Sequence, residues 1–162
     1  MKKNGHVIMI CTGNTCRSPM AAGLLAHALA AQPEPLKSLP VISAGVACRE
    51  GDPVSANSVA ALKKVGIDIS NHHSRPLTQE MIDGALAIFG MTESHLNLVS
   101  LHFFPRANSV HLLRDFLPGE VEREIADPYG GPYKLYELSR DEMVEAIPSV
   151  VAYLKQQVAA VG

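Results

Sequence analysis

Apolar residues in this chain fall into short unbroken runs separated by longer amphipathic stretches. Val7-Ile8-Met9-Ile10 is apolar without alternation, which suits a strand covered on both faces, as in parallel sheets. Pro19 to Ala31 is rich in alanine and leucine and predicts a helix that stops before Pro33, Pro35 and Pro40. Val41 to Ala44 reads as a second strand closed by Gly45. Asp52-Pro53 resembles a cap-plus-proline helix start, with Val54, Val59, Ala60, Leu62 and Val65 carrying that helix to Gly66. Thr78 opens a short helical stretch, Ala85 to Met91 a third strand, Thr92 a helix to Phe103, and Ser109 to Leu113 a fourth strand. Residues 114–132 hold Pro118, Gly119, Pro128, Gly130, Gly131 and Pro132 and predict a long loop, an uncommon feature that is usually functional or disordered. Leu135, Leu138, Ile147, Val150, Val151, Leu154, Val158 and Val161 then return at helical spacing, with Pro148 expected to kink or interrupt the helix.

Strands alternating with helices imply one α/β domain over residues 1–162, a three-layer unit whose four-stranded parallel sheet is flanked by helices and joined by right-handed crossovers. In such sheets ligands bind beyond the carboxyl ends of strands, where strand order reverses. The loop after the first strand, within Cys11-Thr12-Gly13-Asn14-Thr15-Cys16-Arg17-Ser18-Pro19, is suited to that place. Ser18 is a good N-cap and Pro19 fits a first helical position, so the loop meets a helix N-terminus, where free backbone N–H groups and the dipole favour an anion. Gly13 and Asn14 tolerate the unusual backbone angles of a tight phosphate-binding cradle.

Two side chains acquire roles there. Cys11 lies at the mouth of the cradle, where a helix N-terminus and an arginine favour the nucleophilic thiolate. Arg17 can present a planar fork to two oxygens of a tetrahedral oxyanion. The competing reading is a buried structural thiol beside an ordinary turn; the preceding strand, the Gly-Asn and the Ser-Pro start together argue against it. A phosphate ester attacked by a thiolate needs its leaving atom protonated. Asp127, in Asp127-Pro128-Tyr129-Gly130-Gly131, is the best candidate acid, although an Asp-Pro pair by itself is more often a plain turn.

Charge narrows the choice of ligand. With 14 Lys and Arg against 16 Asp and Glu, the net charge of -2 gives no electrostatic case for nucleic acid or an anionic membrane, so an anion site must be local. The apolar run after Lys2 and Lys3 is too short for a signal peptide or a membrane span, and a cytoplasmic protein is expected. The 3 cysteines argue against a secreted disulfide scaffold. Cys11, Cys16 and Cys48 with His72 or His73 would make a Cys₃His zinc set, but the close-spaced pairs of such sites are missing outside the loop and ligation would consume the thiolate, so no metal is expected.

The loop Cys11 to Pro19, taken with Ser43-Ala44-Gly45 and Asp127-Pro128, resembles the low-molecular-weight protein tyrosine phosphatase family along the whole chain. Thr12 and Thr15, with Asp127-Pro128-Tyr129-Gly130-Gly131, are similar to the bacterial branch that includes protein arginine phosphatases. The resemblance implies that Cys11 attacks phosphorus in line to form a phosphocysteine. Arg17 and the loop of Thr12, Gly13, Asn14, Thr15, Cys16 and Ser18 would hold the phosphoryl oxygens, and Asp127 would act as general acid and then base. It further implies that Ser18 hydrogen-bonds the thiolate, that Asn14 keeps the loop's shape with Ser43 and His72, and that no cofactor is required. His72 also reads as an ordinary surface histidine. Under oxidation Cys16 would form a reversible disulfide with Cys11 that shields it from over-oxidation; as a plain residue Cys16 is a small buried hydrophobe. Cys48 reads as structural.

The substrate implied is a phosphorylated protein or peptide, with no nucleic acid and no membrane partner and a monomer favoured. Thr15 stands where members acting on phosphotyrosine more often carry a bulkier aliphatic residue, and its hydroxyl suits a guanidinium leaving group. The segment Val46 to Gly51 holds no aromatic to stack on a phenyl ring, while Tyr129 and Tyr133 are candidates to line the cleft and Glu50 or Asp127 to face a guanidinium. Arsenate reduction by a thiol relay is an alternative that needs cysteines beyond Cys48, and none follows it. A non-catalytic phosphate-binding module would be expected to have lost Cys11, Arg17 or Asp127.

Overall fold

β1 (His6–Cys11) runs through the interior, with Val7 to Ile10 fully buried. A computed structural model describes residues 5–161. In it β1 pairs in parallel with β2 (Val41–Gly45) on one side and β3 (Ala85–Gly90) on the other, and β4 (Val110–Leu112) completes a four-stranded parallel sheet of order β2-β1-β3-β4. Side chains of β1 alternate between two cores, which is why its sequence is apolar from Val7 to Cys11. Val7, Met9 and Cys11 pack with α1 (Arg17–Ala30), α2 (Ala56–Lys63) and α5 (Tyr133–Val161). Ile8 and Ile10 pack with α3 (Gln79–Asp83) and α4 (Glu93–His102). Each fully buried isoleucine contributes about 1.5–3 kcal/mol, so neither face of the strand is expendable.

This strand order creates the site. The chain leaves β1 for β2 on one side and returns to the opposite side for β3, so the crevice at the carboxyl end of β1 is the switch point of the sheet. Close approach there requires glycine at residue 45: a Cβ would come 2.7 Å from the Thr12 carbonyl oxygen and 2.5 Å from Cys48 Sγ.

Three local expectations are corrected. Ser18 is not the N-cap of α1, because the helix begins at Arg17 after Cys16 and Ser18 lies inside the first turn, its hydroxyl engaged by Cys11 and Asn14. Pro19 is tolerated there because first-turn N–H groups have no helical acceptor. α2 starts at Ala56 after Ser55, not at Asp52-Pro53. Residues 51–54 are drawn into an extended pairing with residues 72–74 by Gly51 N–H to Ser74 O, Ser74 N–H to Asp52 O and Val54 N–H to His72 O, at 2.8, 2.8 and 3.3 Å.

Pro148 does not interrupt α5, which is helical from Tyr133 to Val161. Met143, Ala146, Ile147, Val150, Leu154 and Val158 are buried on both sides of the proline, and this packing outweighs one missing hydrogen bond. Early in α5 the core positions belong to Tyr136 and Met143, whereas Leu135 and Leu138 face outward. The long loop before α5 is held by arginines. Arg123 donates to the carbonyls of Arg114, Leu117 and Gly119 at 2.9, 2.6 and 2.6 Å, and Arg114 donates to those of Glu122 and Glu142, both at 2.7 Å.

Candidate active site

Residues 12–16 wrap the N-terminus of α1 and bring the backbone around Cys11. Its Sγ lies 2.9 Å from Ser18 Oγ and accepts the Ser18 N–H at 3.4 Å. Asn14 takes the left-handed conformation with φ 57°, at a cost of about 1–2 kcal/mol for a residue bearing a Cβ, while Gly13 lies outside that region. Four hydrogen bonds hold it there: Nδ2 donates to Ser18 Oγ at 2.8 Å and Ser43 Oγ at 3.0 Å, Oδ1 accepts from Arg75 N at 2.9 Å, and the carbonyl accepts from His72 Nε2 at 2.8 Å. His72 is therefore brought to the loop rather than left on the surface. Burial holds its pKa below the ordinary histidine value, only partly offset by the bond to Asn14. Arg75 joins this network although nothing in its polar surroundings singled it out; its guanidinium also donates to Ser43 O at 3.1 Å.

Arg17 is buried, 4 % exposed, and its Nη1 donates to Ile125 O at 2.8 Å, which anchors the guanidinium to the loop that carries Asp127. Asp127 Oδ2 stands 3.6 Å from Arg17 Nη2, and Oδ1 accepts the Tyr129 N–H at 3.0 Å. One Asp127 oxygen thus serves the turn and the other faces Arg17. Cys11, Thr12, Gly13, Thr15, Cys16, Arg17, Asp127 and Tyr129 line a cavity of about 190 Å³. A water occupies about 30 Å³, so this space suits a tetrahedral oxyanion with the first atoms of its substituent and not a large organic ligand.

Tyr129 is exposed at the rim, while Tyr133 is outside the cleft beneath Lys64, whose Nζ is 5.1 Å from the ring centre. Glu50 does not line the cleft either: residues 46–51 are tied to the back of the loop through Val46 N–H to Cys11 O at 2.9 Å and Ala47 N–H to Thr12 O at 3.1 Å. Cys16 is buried, 3.7 Å from the Tyr136 hydroxyl, and shares the cavity with Cys11. Cys48 is half-buried, and burial pushes its thiol pKa up.

His95 was missed by sequence reasoning. It is 2 % exposed in the first turn of α4, with Nε2 3.1 Å from Thr12 Oγ1 and Nδ1 3.3 and 3.1 Å from the backbone nitrogens of Met91 and Thr92. Burial, and then the Arg17 charge, pushes its pKa down to about 4. A signal was present: Thr92-x-x-His95 has the spacing of a capping box, with histidine in place of the usual Glu or Gln.

Among the described residues no three or more His, Cys, Asp or Glu side chains come together to hold a metal ion, and no helix is long and apolar enough to cross a membrane. Fold and cavity define a class, an α/β protein with a thiol in an oxyanion loop opposite a carboxylic acid. The chain belongs to the low molecular weight phosphotyrosine protein phosphatase family, whose model matches residues 6–160. A protein-arginine-phosphatase of Geobacillus stearothermophilus is 36 % identical over 152 residues, 94 % of this chain and 97 % of that protein. An arsenate reductase of Staphylococcus aureus is 32 % identical over 145 residues, 87 % of this chain and 92 % of its own length. The crystal structure of a low molecular weight protein tyrosine phosphatase from T. tengcongensis superposes with TM-score 0.83 at 34 % identity, covering 92 % of this chain and 99 % of that one. A variant of the arginine phosphatase YwlE bearing a phosphorylated active-site serine superposes with TM-score 0.81 at 32 % identity, covering 93 % and 96 %.

Proposed function

We propose that this protein is a cysteine-dependent phosphatase of phosphorylated protein side chains, and that phosphoarginine is its preferred substrate. The observation that carries the first part is Cys11 Sγ at 2.9 Å from Ser18 Oγ on the wall of a cavity that also holds Arg17 and Asp127. The Cys11 thiolate attacks phosphorus; an S–P bond forms as the bond from phosphorus to the leaving nitrogen or oxygen breaks, and Asp127 gives that atom its proton. Loop N–H groups and the Arg17 fork hold the phosphoryl oxygens through both steps. Water then attacks the phosphocysteine, loses a proton to the Asp127 carboxylate, and phosphate leaves as the thiolate returns. Ser18 stabilises the thiolate, and Asn14, Ser43, His72 and Arg75 keep the loop in shape.

The preference for arginine rests on Thr15, half-buried in the cleft, and on relatives named protein-arginine-phosphatase. A working thiolate fits a reducing compartment, and we place the protein in the cytoplasm, acting as one domain without a resident cofactor. Cys16 serves as the resolving thiol when Cys11 is oxidised. Arsenate reduction remains the weaker reading because a thiol relay needs a cysteine after Cys48.

Hydrolysis of 4-nitrophenyl phosphate and of phosphoarginine tests both parts. Cys11→Ser should abolish turnover of either substrate, and retained turnover would refute the mechanism. Thr15→Ile should shift preference from phosphoarginine towards phosphotyrosine peptides, and an unchanged ratio would remove Thr15 from the explanation.

A further inference from the structure

The side chain that follows the nucleophile is engaged from the far side of the sheet, in a contact that neither the thiolate nor the phosphate cradle requires. The backbone N–H groups of Met91 and Thr92 both point at His95 Nδ1, at 3.3 and 3.1 Å, and the Thr92 hydroxyl 3.3 Å away can donate as well, so that nitrogen holds the ring's lone pair and the proton sits on Nε2. His95 Nε2–H therefore donates to Thr12 Oγ1 over 3.1 Å. A threonine hydroxyl has one proton and two acceptor sites, and His95 fills one of the acceptor sites. The proton and the remaining lone pair are left for the cleft, where Thr12 is exposed beside Cys11 and shares the lining with Asp127. The ring is packed firmly: a Cβ on Gly90 at the end of β3 would come 3.1 Å from His95 Cβ and 2.6 Å from Leu96 Cδ1, so glycine there lets α4 close on the sheet.

We propose that His95 is a positioning residue that orients the Thr12 hydroxyl as an acceptor for an N–H-bearing leaving group, making the pair a determinant of phosphoarginine over phosphotyrosine. A guanidinium has donors and no acceptor, so it gains from the fixed lone pair on Thr12, whose own proton goes to a phosphoryl oxygen. A phenyl ring offers that lone pair nothing. The inference rests on the phosphoarginine reading above and adds residues to it.

The test is the ratio of kcat/KM for phosphoarginine to that for 4-nitrophenyl phosphate in wild type, Thr12→Val, His95→Glu, His95→Gln and the double variant Thr12→Val/His95→Glu. Glutamate at residue 95 can still cap the Met91 and Thr92 N–H groups but cannot donate to Thr12; glutamine can do both. Thr12→Val and His95→Glu should each lower the ratio about five- to ten-fold, the worth of one hydrogen bond, and the double variant should fall no further than Thr12→Val. His95→Gln should keep the ratio within about two-fold. A ratio unmoved in Thr12→Val, or losses that multiply in the double variant, would overturn the inference. Thr12 is on the surface of the cleft, so its variant decides the matter even where His95→Glu folds poorly. Wild type that hydrolyses the aryl phosphate and not phosphoarginine would sink the arginine reading together with the inference, whereas a wild-type preference surviving in Thr12→Val sinks the inference alone.

Discussion

The two halves of the site are built differently. Cys11 to Ser18 is a largely buried loop, open to the cleft at Thr12, whose shape is set by a side-chain network centred on Asn14, which makes four hydrogen bonds, each to a different residue. Asp127 sits on an exposed segment held chiefly by arginines grasping carbonyl oxygens, Arg17 at Ile125 and Arg123 at Arg114, Leu117 and Gly119. In the proposed mechanism the first presents nucleophile and donors in one geometry from the start, because preorganised dipoles stabilise developing charge without reorganising. In the proposed mechanism the second gives and takes a proton and lets substrate in, which a half-exposed carboxylate does better than a buried one. Arg17 belongs to both, since one nitrogen holds the acid's loop and another faces Asp127.

Substitutions should separate these designs. Asp127→Asn should lower kcat about 10²- to 10⁴-fold on a poor leaving group, and less on 4-nitrophenyl phosphate, while the melting temperature barely moves, because asparagine can still accept the Tyr129 N–H. Asn14→Ala should do the reverse in kind: stability should fall by about 2–4 kcal/mol in urea titration, as the buried Ser18 and Ser43 hydroxyls and the half-buried Arg75 N–H lose a partner, with activity lost on every substrate alike. A merely local effect of Asn14→Ala, or a cooperative loss of stability in Asp127→Asn, would erase the contrast.

Acid should weaken the loop side first. His95 binds its proton in the native state only near pH 4, whereas an unfolded histidine does so near 6.5, so between those values the unfolded chain holds more protons and stability rises with pH. The expected loss on going from pH 7 to 4 is at most about 3 kcal/mol from this residue, with Arg17 deepening the shift and Asp127 and Glu124 opposing it. His72 and His111 are lowered too, so the comparison that isolates His95 is the slope in wild type against His95→Gln. Smallest of the effects, Arg123→Ala should cost about 1–2 kcal/mol of stability and a few-fold in kcat, with faster proteolysis between residues 114 and 132.

Much of this could be read along the chain where physics is local. The unbroken apolar run of β1, the Thr78 cap of α3 and the left-handed Asn14 each follow from burial, capping or backbone freedom, whereas Gly13 adopts no left-handed conformation. What stayed hidden depends on partners far apart in sequence. Ser18 looked like a cap because nothing local reveals that Cys11 and Asn14 claim its hydroxyl. Residues 51–54 looked helical because their pairing with residues 72–74 is a tertiary fact. Arg75, Arg114 and Arg123 bond to backbone carbonyls, which have no sequence signature. His95 had a trace in its spacing from Thr92, but its bond to Thr12 spans 83 residues.

Rapid denaturing quench of wild-type turnover, followed by peptide mapping, most directly tests the claim that Cys11 carries the phosphoryl group between two steps. Phosphate on the peptide that contains Cys11, preceded by a burst of nitrophenol and absent in Cys11→Ala, is the expected result. Phosphate on another side chain, or steady turnover in Cys11→Ala, would contradict it.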